Sequence, residues 1–338
     1  MLIKRPYPLV IGVTTGLIIL AFISTRISCE AYPAGNKDDS GKAKREKSSW
    51  RAPDPRQIPG TPEGELILYG RDLIMNTSAY LGPKGTIERI TNGMNCQNCH
   101  YDGGTRYLGN NYGGVFSTYP KFRERSGSIE DICKRVNDCI QRSLNGTSGL
   151  DTNSREMQAI YSYIKWLGQD VPKGTKPAGA GIADLSFPER AADPVEGKAV
   201  YMANCLRCHG IMGEGLLNAD SSGYIFPPLW GEHSYTTAAG LFRISRFAGL
   251  VRLNMPYDAP QNARRLTDEE AWDVAAFVNS QPRPAKNFKE DWPDISGKPF
   301  DHPFGPYADH YTELQHKYGP FAVIVSEKKK VKEKDRSR

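Results

Sequence analysis

A chain of 338 residues is long enough for two ordinary domains, and with 39% hydrophobic and 24% charged residues it has the composition of folded soluble domains. The net charge of +6 does not indicate a nucleic-acid partner, because residues 328–338 alone hold seven basic and two acidic residues and leave the remainder nearly neutral. Such a charged, aromatic-poor end reads as a solvated tail.

At the N-terminus, Lys4 and Arg5 precede an apolar run over residues 9–23, the layout of an export signal. The run is short beside the roughly 20 residues of a spanning helix. Residues 1–30 are therefore expected to be a cleaved signal peptide, with an uncleaved membrane anchor as the alternative, and the rest of the chain to be exported to the periplasm. Cys29 follows Arg26 and Ile27, not the small or leucine residues of a lipoprotein site, and is expected to be inert or processed away. Residues 31–62 are polar and proline-containing without a hydrophobic period, which predicts a disordered linker.

Downstream, NCQNCH at residues 95–100 and NCLRCH at residues 204–209 repeat one pattern, each followed by a glycine-rich loop, so the chain contains a duplicated unit. A helix is predicted ahead of each motif, in GELILYGRDLIMNT and in VEGKAVYMANC. Each unit also closes on a helix. In the first, Met157, Ile160, Tyr161, Ile164 and Leu167 recur at helical spacing before Gly168. In the second, Thr267 and Glu270 make a capping box in front of AWDVAAFV. The expected fold is mainly α, with two tandem haem-binding domains of cytochrome c type at residues 63–172 and 188–284. A Gly/Pro/Ala-rich linker at 173–187 joins them. An irregular C-terminal extension at 285–325 is expected to pack on the domains, ahead of a basic disordered tail at 326–338. His233, His302, His310 and His316 read as structural or exposed.

The CxxCH pattern attaches haem covalently: two thiols three residues apart on a helical turn reach two vinyl groups of one porphyrin edge, and the adjacent histidine ligates the iron. CxxC alone would also fit a redox dithiol or half a zinc site. A following histidine in both copies, in an exported chain, favours two covalently bound haem c groups and their iron. Cys96, Cys99 and His100 hold the first; Cys205, Cys208 and His209 hold the second.

The opposite ligand of each iron comes from elsewhere. Met255, in VRLNMPYDAP, lies in a proline-bounded loop ahead of the last helix of its unit, where a thioether can fold back over the second haem. Met202 and Met212 are too near the attachment point. The first unit has no matching loop, since Met157 belongs to an apolar helical stripe. It does have ICKRVNDCIQRSLNG, residues 132–146. Ser128 and Asp131 can cap a helix there, with Ile129, Ile132, Val136, Ile140 and Leu144 on its apolar face and Gly146 at its end. Cys133 and Cys139 would stand about 9 Å apart along its axis, beyond the roughly 7 Å that a disulfide spans. Either is a small buried hydrophobe or the axial thiolate of the first haem. Arg135 and Ser143, four residues to either side, place a cation and a hydroxyl on the face of Cys139 and favour it over Cys133.

With these residues in place, the sequence resembles the thiosulfate dehydrogenase family of dihaem c-type cytochromes. The matching stretches are GRDLIMNTSAYLGPKGTIERITNGMNCQNCH, YPKFRERSG, RVNDCIQRSLNG, the second CxxCH with NMP, and PFGPYADHYTELQHKYGPF, together spanning most of residues 60–322. The resemblance implies that Cys139 is the distal ligand of the first, catalytic haem and that Met255 ligates the second, electron-exit haem. It implies anion-binding roles for Arg125 and Arg135 and an active-site place for Ser143. It further implies an oxidoreductase acting on sulfur compounds, which couples two thiosulfates into tetrathionate. The two electrons pass to a soluble or membrane-associated cytochrome or similar redox protein, and the reverse reaction reduces tetrathionate. Some members carry a lysine directly before the distal methionine and exchange ligands on reduction; this chain has Asn254 there. Two dianions about 4 Å apart repel by roughly 4 kcal/mol even in water, so cations must offset the approach, and guanidinium forks suit sulfonate oxygens better than ammonium groups do. A dihaem electron-transfer module without substrate, or a dihaem peroxidase, are the rival readings.

Overall fold

The structure, a computed structural model, describes residues 49–257 and 265–336. The candidate export segment and Cys29 lie outside them. Among the described residues no helix is long and apolar enough to cross a membrane.

The first unit is framed by α1 (Pro62–Met75), α2 (Ile132–Ser143) and α3 (Arg155–Leu167), and the second by α4 (Pro194–Asn204), α5 (Ile244–Asn254) and α6 (Asp268–Ser280). A last helix, α7 (Ala322–Arg336), ends the described chain. Five of the six framing helices begin at a side-chain cap; α5 follows Arg243, which makes none. The Thr61 side chain accepts from Gly64 N–H, with Pro62 at the first helical position, and Asp193 and Ser154 cap α4 and α3 in the same way. Thr267 and Glu270 form the expected reciprocal box at α6.

The duplication is visible in how these helices cross. In the first unit α1 lies against α3, and a Cβ at Gly70 would stand 1.9 Å from the Ala159 carbonyl oxygen. In the second, α4 lies against α6, and a Cβ at Gly197 would stand 1.9 Å from the Asp273 carbonyl oxygen. Only glycine allows the two backbones to approach so closely. Each crossing is sealed by its own core, with Leu73, Ile74, Met157, Ile160 and Ile164 in the first unit and Tyr201, Trp272, Val274 and Val278 in the second.

Short hairpins fill the space beside each haem-binding motif. β1 (Lys121–Arg123) pairs antiparallel with β2 (Ser128–Glu130), Phe122 opposite Ile129, through a turn in which Gly127 has φ +61°. β3 (Leu216–Leu217) pairs with β4 (Tyr224–Phe226). This corrects the expected start of α2: Asp131 alone caps the helix, accepting from Lys134 N–H at 2.8 Å, and Ser128 and Ile129 belong to a strand. Ile129 is 74% exposed and lies off the apolar face.

Two further expectations are corrected. Residues 49–62 were expected to be disordered, yet Trp50 is buried in the first core, donates its indole N–H to the Leu167 carbonyl at 3.3 Å, and holds the segment against the end of α3. A buried aromatic offsets the ordering cost that polar composition alone cannot meet. The tail from residue 326 is helical to Arg336, because Phe321 and Ile324 are fully buried against the second unit and nucleate α7.

The extension between residues 285 and 321 ties both units together. The Arg142 guanidinium makes a two-pronged pair with Asp291 at 2.6 and 2.7 Å. Lys286 donates to the Gln141 and Gly146 carbonyls at the end of α2. Asp301, fully buried, accepts from Arg243 at 2.7 Å, and buried His316 sits between the Phe300 carbonyl and Asp309.

Candidate active site

The CxxCH motif of the first unit opens on a cavity of about 420 Å³, and that of the second on a cavity of about 400 Å³. The two share Asn95, Cys99 and Leu241 as a common wall. Cys96, Cys99 and His100 line the first cavity; Cys205, Cys208 and His209 line the second.

Both histidines are prepared as neutral ligands. His100 Nδ1 lies 2.6 Å from the Asn110 carbonyl oxygen and His209 Nδ1 lies 2.9 Å from that of Pro227. A carbonyl accepts, so Nδ1 carries the proton and Nε2 keeps its lone pair for an iron. Burial holds His100 down to about 4 and lowers His209 as well. Tyr112 stacks on the His100 ring, with centroids 4.5 Å apart, and fixes its plane.

The thiols fit covalent attachment better than the alternatives. None of the described cysteines is bridged. Burial raises Cys96 to about 11, and Cys99 and Cys205 to about 12, whereas a redox dithiol works through a depressed pKa. Among the described residues no group of three or more His, Cys, Asp or Glu is arranged to hold a metal ion directly, which leaves the zinc reading without a ligand set. Paired neutral thiols and a neutral imidazole on a largely apolar cavity suit a porphyrin.

The two central cysteines lie on different faces of α2. Arg135, Cys139 and Ser143 follow one another at intervals of four on the face that lines the first cavity. Cys133 does not reach it and packs beside the first core. The Arg135 guanidinium is raised, chiefly by Cys139, and among the described residues it has no carboxylate within ion-pair distance. Arg125 enters the same cavity from the loop of the β1–β2 hairpin. Burial pushes it down to about 10, the neighbouring Arg142 and Arg135 add to the effect, and its Nη1 reaches only the Ala238 carbonyl at 3.5 Å. In the second cavity Met255 stands at the C-terminus of α5, while Met202 and Met212 are exposed elsewhere. Asn254 is buried, donating to the Leu108 and Leu250 carbonyls.

Every residue expected at the first haem thus meets in one cavity, and every residue expected at the second meets in the other. Lys121, Arg123 and Lys176 also line the first cavity and did not stand out in the sequence. For Lys121 and Arg123 the signal was the alternation of basic residues at positions 121, 123 and 125, the period of a strand whose one face is cationic; Lys176 had no such signal.

Comparison with known proteins agrees with this geometry. Residues 87–172 match the SoxA/TsdA cytochrome c domain and residues 194–282 match cytochrome c. The chain is 40% identical over 231 residues to the thiosulfate dehydrogenase of Allochromatium vinosum, covering 67% of this chain and 82% of that one. It is 33% identical to that of Stutzerimonas stutzeri, covering 70% and 74% respectively. Among solved structures, thiosulfate dehydrogenase (TsdBA) from Marichromatium purpuratum in its "as isolated" form superposes with a TM-score of 0.66 at 32% identity. That match covers 72% of this chain and about half (51%) of the other. Two haem-binding units of cytochrome c type, with these relatives, place the chain in the thiosulfate dehydrogenase family.

Proposed function

We propose that the protein is a dihaem thiosulfate dehydrogenase that joins two thiosulfates through their outer sulfurs. One S–S bond forms, tetrathionate leaves, and two electrons pass on without a proton. The observation that carries this reading is the meeting of Cys139, Arg135, Arg125 and Ser143 in one cavity with the first CxxCH motif.

Cys96, Cys99 and His100 together with Cys139 would hold the first haem, and Cys205, Cys208 and His209 together with Met255 would hold the second. When bound, each haem supplies a one-electron centre, so the pair accommodates a two-electron oxidation. A cysteine ligand would make the first haem electron-rich and a thioether would make the second more oxidising, a gradient from the first cavity toward the second, with which it shares a wall. Arg135 stands one helical turn from Cys139 and, with Arg125, offsets the charge of the substrate. The Ser143 hydroxyl donates beside them. Cys139 would help to hold the first haem and also act as nucleophile: its sulfur and the outer sulfur of one thiosulfate join in an S–S bond as two electrons leave, and the second thiosulfate then attacks that substrate sulfur, which releases tetrathionate with the Cys139 sulfur as leaving group.

The protein works after export, in the periplasm, and hands its electrons to a soluble or membrane-associated cytochrome; run in reverse, the same site reduces tetrathionate. The test is turnover by the holoenzyme with thiosulfate and an artificial acceptor, with tetrathionate quantified, alongside a peroxide assay. One tetrathionate per two electrons supports the reading. Reduction of the haems without tetrathionate, or peroxidase turnover alone, overturns it.

A further inference from the structure

The first cavity carries more positive charge than one substrate needs. Among the described residues no Asp or Glu lines it. Arg243 and Arg246 on its rim have carboxylate partners in Asp301 and Asp184. Among the described residues Lys121, Lys176, Arg125 and Arg135 have no carboxylate within 4 Å, and Arg123 has buried Glu130 at 3.8 Å.

These cations fall into two groups by the elements that carry them. Arg135 stands on α2 beside Cys139, with Arg125 opposite it from the hairpin loop. Lys121 and Arg123 both lie on the inward face of β1, alternating with outward Phe122, which is 57% exposed, and Glu124. Lys176 joins them from the segment between the two units. Lys121 is lowered by burial and by the charges of Arg123, Arg135 and Lys176, an arrangement that an incoming anion relieves. The two singly charged propionates of a haem do not account for the five cations of both groups. A reaction that must bring two dianions into contact does.

We propose that Lys121, Arg123 and Lys176 form an outer oxyanion subsite that receives the second thiosulfate while Arg125 and Arg135 hold the first. This rests on the reading of the cavity as the site of thiosulfate coupling. The subsite recognises a sulfonate-type dianion by charge and by the fork of Arg123, and it aligns the outer sulfur of the second molecule with that of the first. The same chemistry would suit a propionate of the first haem, and the experiment separates the two.

Lys121→Met, Lys176→Met, the Lys121→Met/Arg123→Met pair and the conservative Lys121→Arg are compared with wild type as holoenzymes, after haem content is matched. The rate is followed against thiosulfate concentration at two ionic strengths, and the midpoint potentials of both haems are measured. The expected result is a half-saturating thiosulfate concentration raised about tenfold for each lost charge-assisted contact. The salt dependence weakens, Lys121→Arg stays near wild type, and both potentials are unchanged. An unchanged half-saturation, or a shifted first-haem potential as the sole effect, overturns the subsite and assigns these cations to structure or to a propionate. If wild type itself forms no tetrathionate, the coupling reading fails, which is a different outcome from normal wild-type turnover with indifferent variants.

Discussion

Arg135 and Cys139 lie one turn apart on one face of α2 and open together into the first cavity, with the cysteine thiol the largest influence on the guanidinium beside it. A thiolate and a buried cation at i and i+4 stabilise each other where solvent is scarce. The same helix places Cys133 beside the first core, on a different face from Cys139.

Cys139→Ala is therefore expected to abolish thiosulfate turnover and to change the low-temperature electron paramagnetic resonance signal of the first haem. Cys133→Ala leaves that signal intact and the activity near wild type. The two spectra, recorded side by side on oxidised protein, check the assignment. Equal effects of the two substitutions would sink it.

Tyr257, two residues after Met255, donates its hydroxyl to Asp102 in the loop that follows the first CxxCH motif. Arg106 lies over the Tyr257 ring at 3.9 Å and pairs with Asp102 at 2.8 Å. The loop that carries Met255 is thereby fastened to the first unit. Tyr257→Phe is expected to loosen the thioether, lower the midpoint potential of the second haem and weaken its sulfur-to-iron absorption, with the first-haem signal unchanged. Spectroelectrochemical titration provides the measurement.

The Arg142–Asp291 pair fixes the far end of α2 to the C-terminal extension, with Phe288 3.8 Å from the guanidinium. Arg142 is 5% exposed, so removing Asp291 leaves a buried charge with only Asp138, 3.8 Å away, to offset it. Asp291→Ala should cost about 3 kcal/mol of stability, read as a lower thermal midpoint of the holoenzyme. An unchanged midpoint would mean that the extension contributes little to holding α2.

Burial holds His302 down to about 4, and the charges of Lys298, Arg125 and Arg243 act in the same direction, while its contact with the Phe304 carbonyl opposes them. In the unfolded chain the ring titrates near 6.5, so between that pH and about 4 the unfolded state binds more protons. The contribution of His302 to stability is whole above about 6.5 and is lost as pH falls through this window. His302→Gln should flatten that part of the stability–pH curve in denaturant titrations; a parallel curve would refute the assignment.

Much of this site is written locally in the sequence. The attachment motifs need only a helical turn, the Thr267–Glu270 cap closes within one turn, and the spacing of Arg135, Cys139 and Ser143 follows from 3.6 residues per turn. Each of these depends on hydrogen bonds between near neighbours, so residue type and interval suffice to state it. The position of Met255 after α5 is legible for the same reason.

Tertiary structure alone decided which face of α2 looks into the cavity. It also turned residues 128–130 into a strand, since the β1–β2 pairing competes with one more turn of helix and no local periodicity ranks the two. The buried Trp50, the helical end from residue 326 and the gathering of Lys121, Arg123 and Lys176 around one cavity likewise depend on segments distant in sequence. Such contacts gain their energy from burial and from charges brought together in a poorly solvated space, and neither exists until the chain has closed on itself.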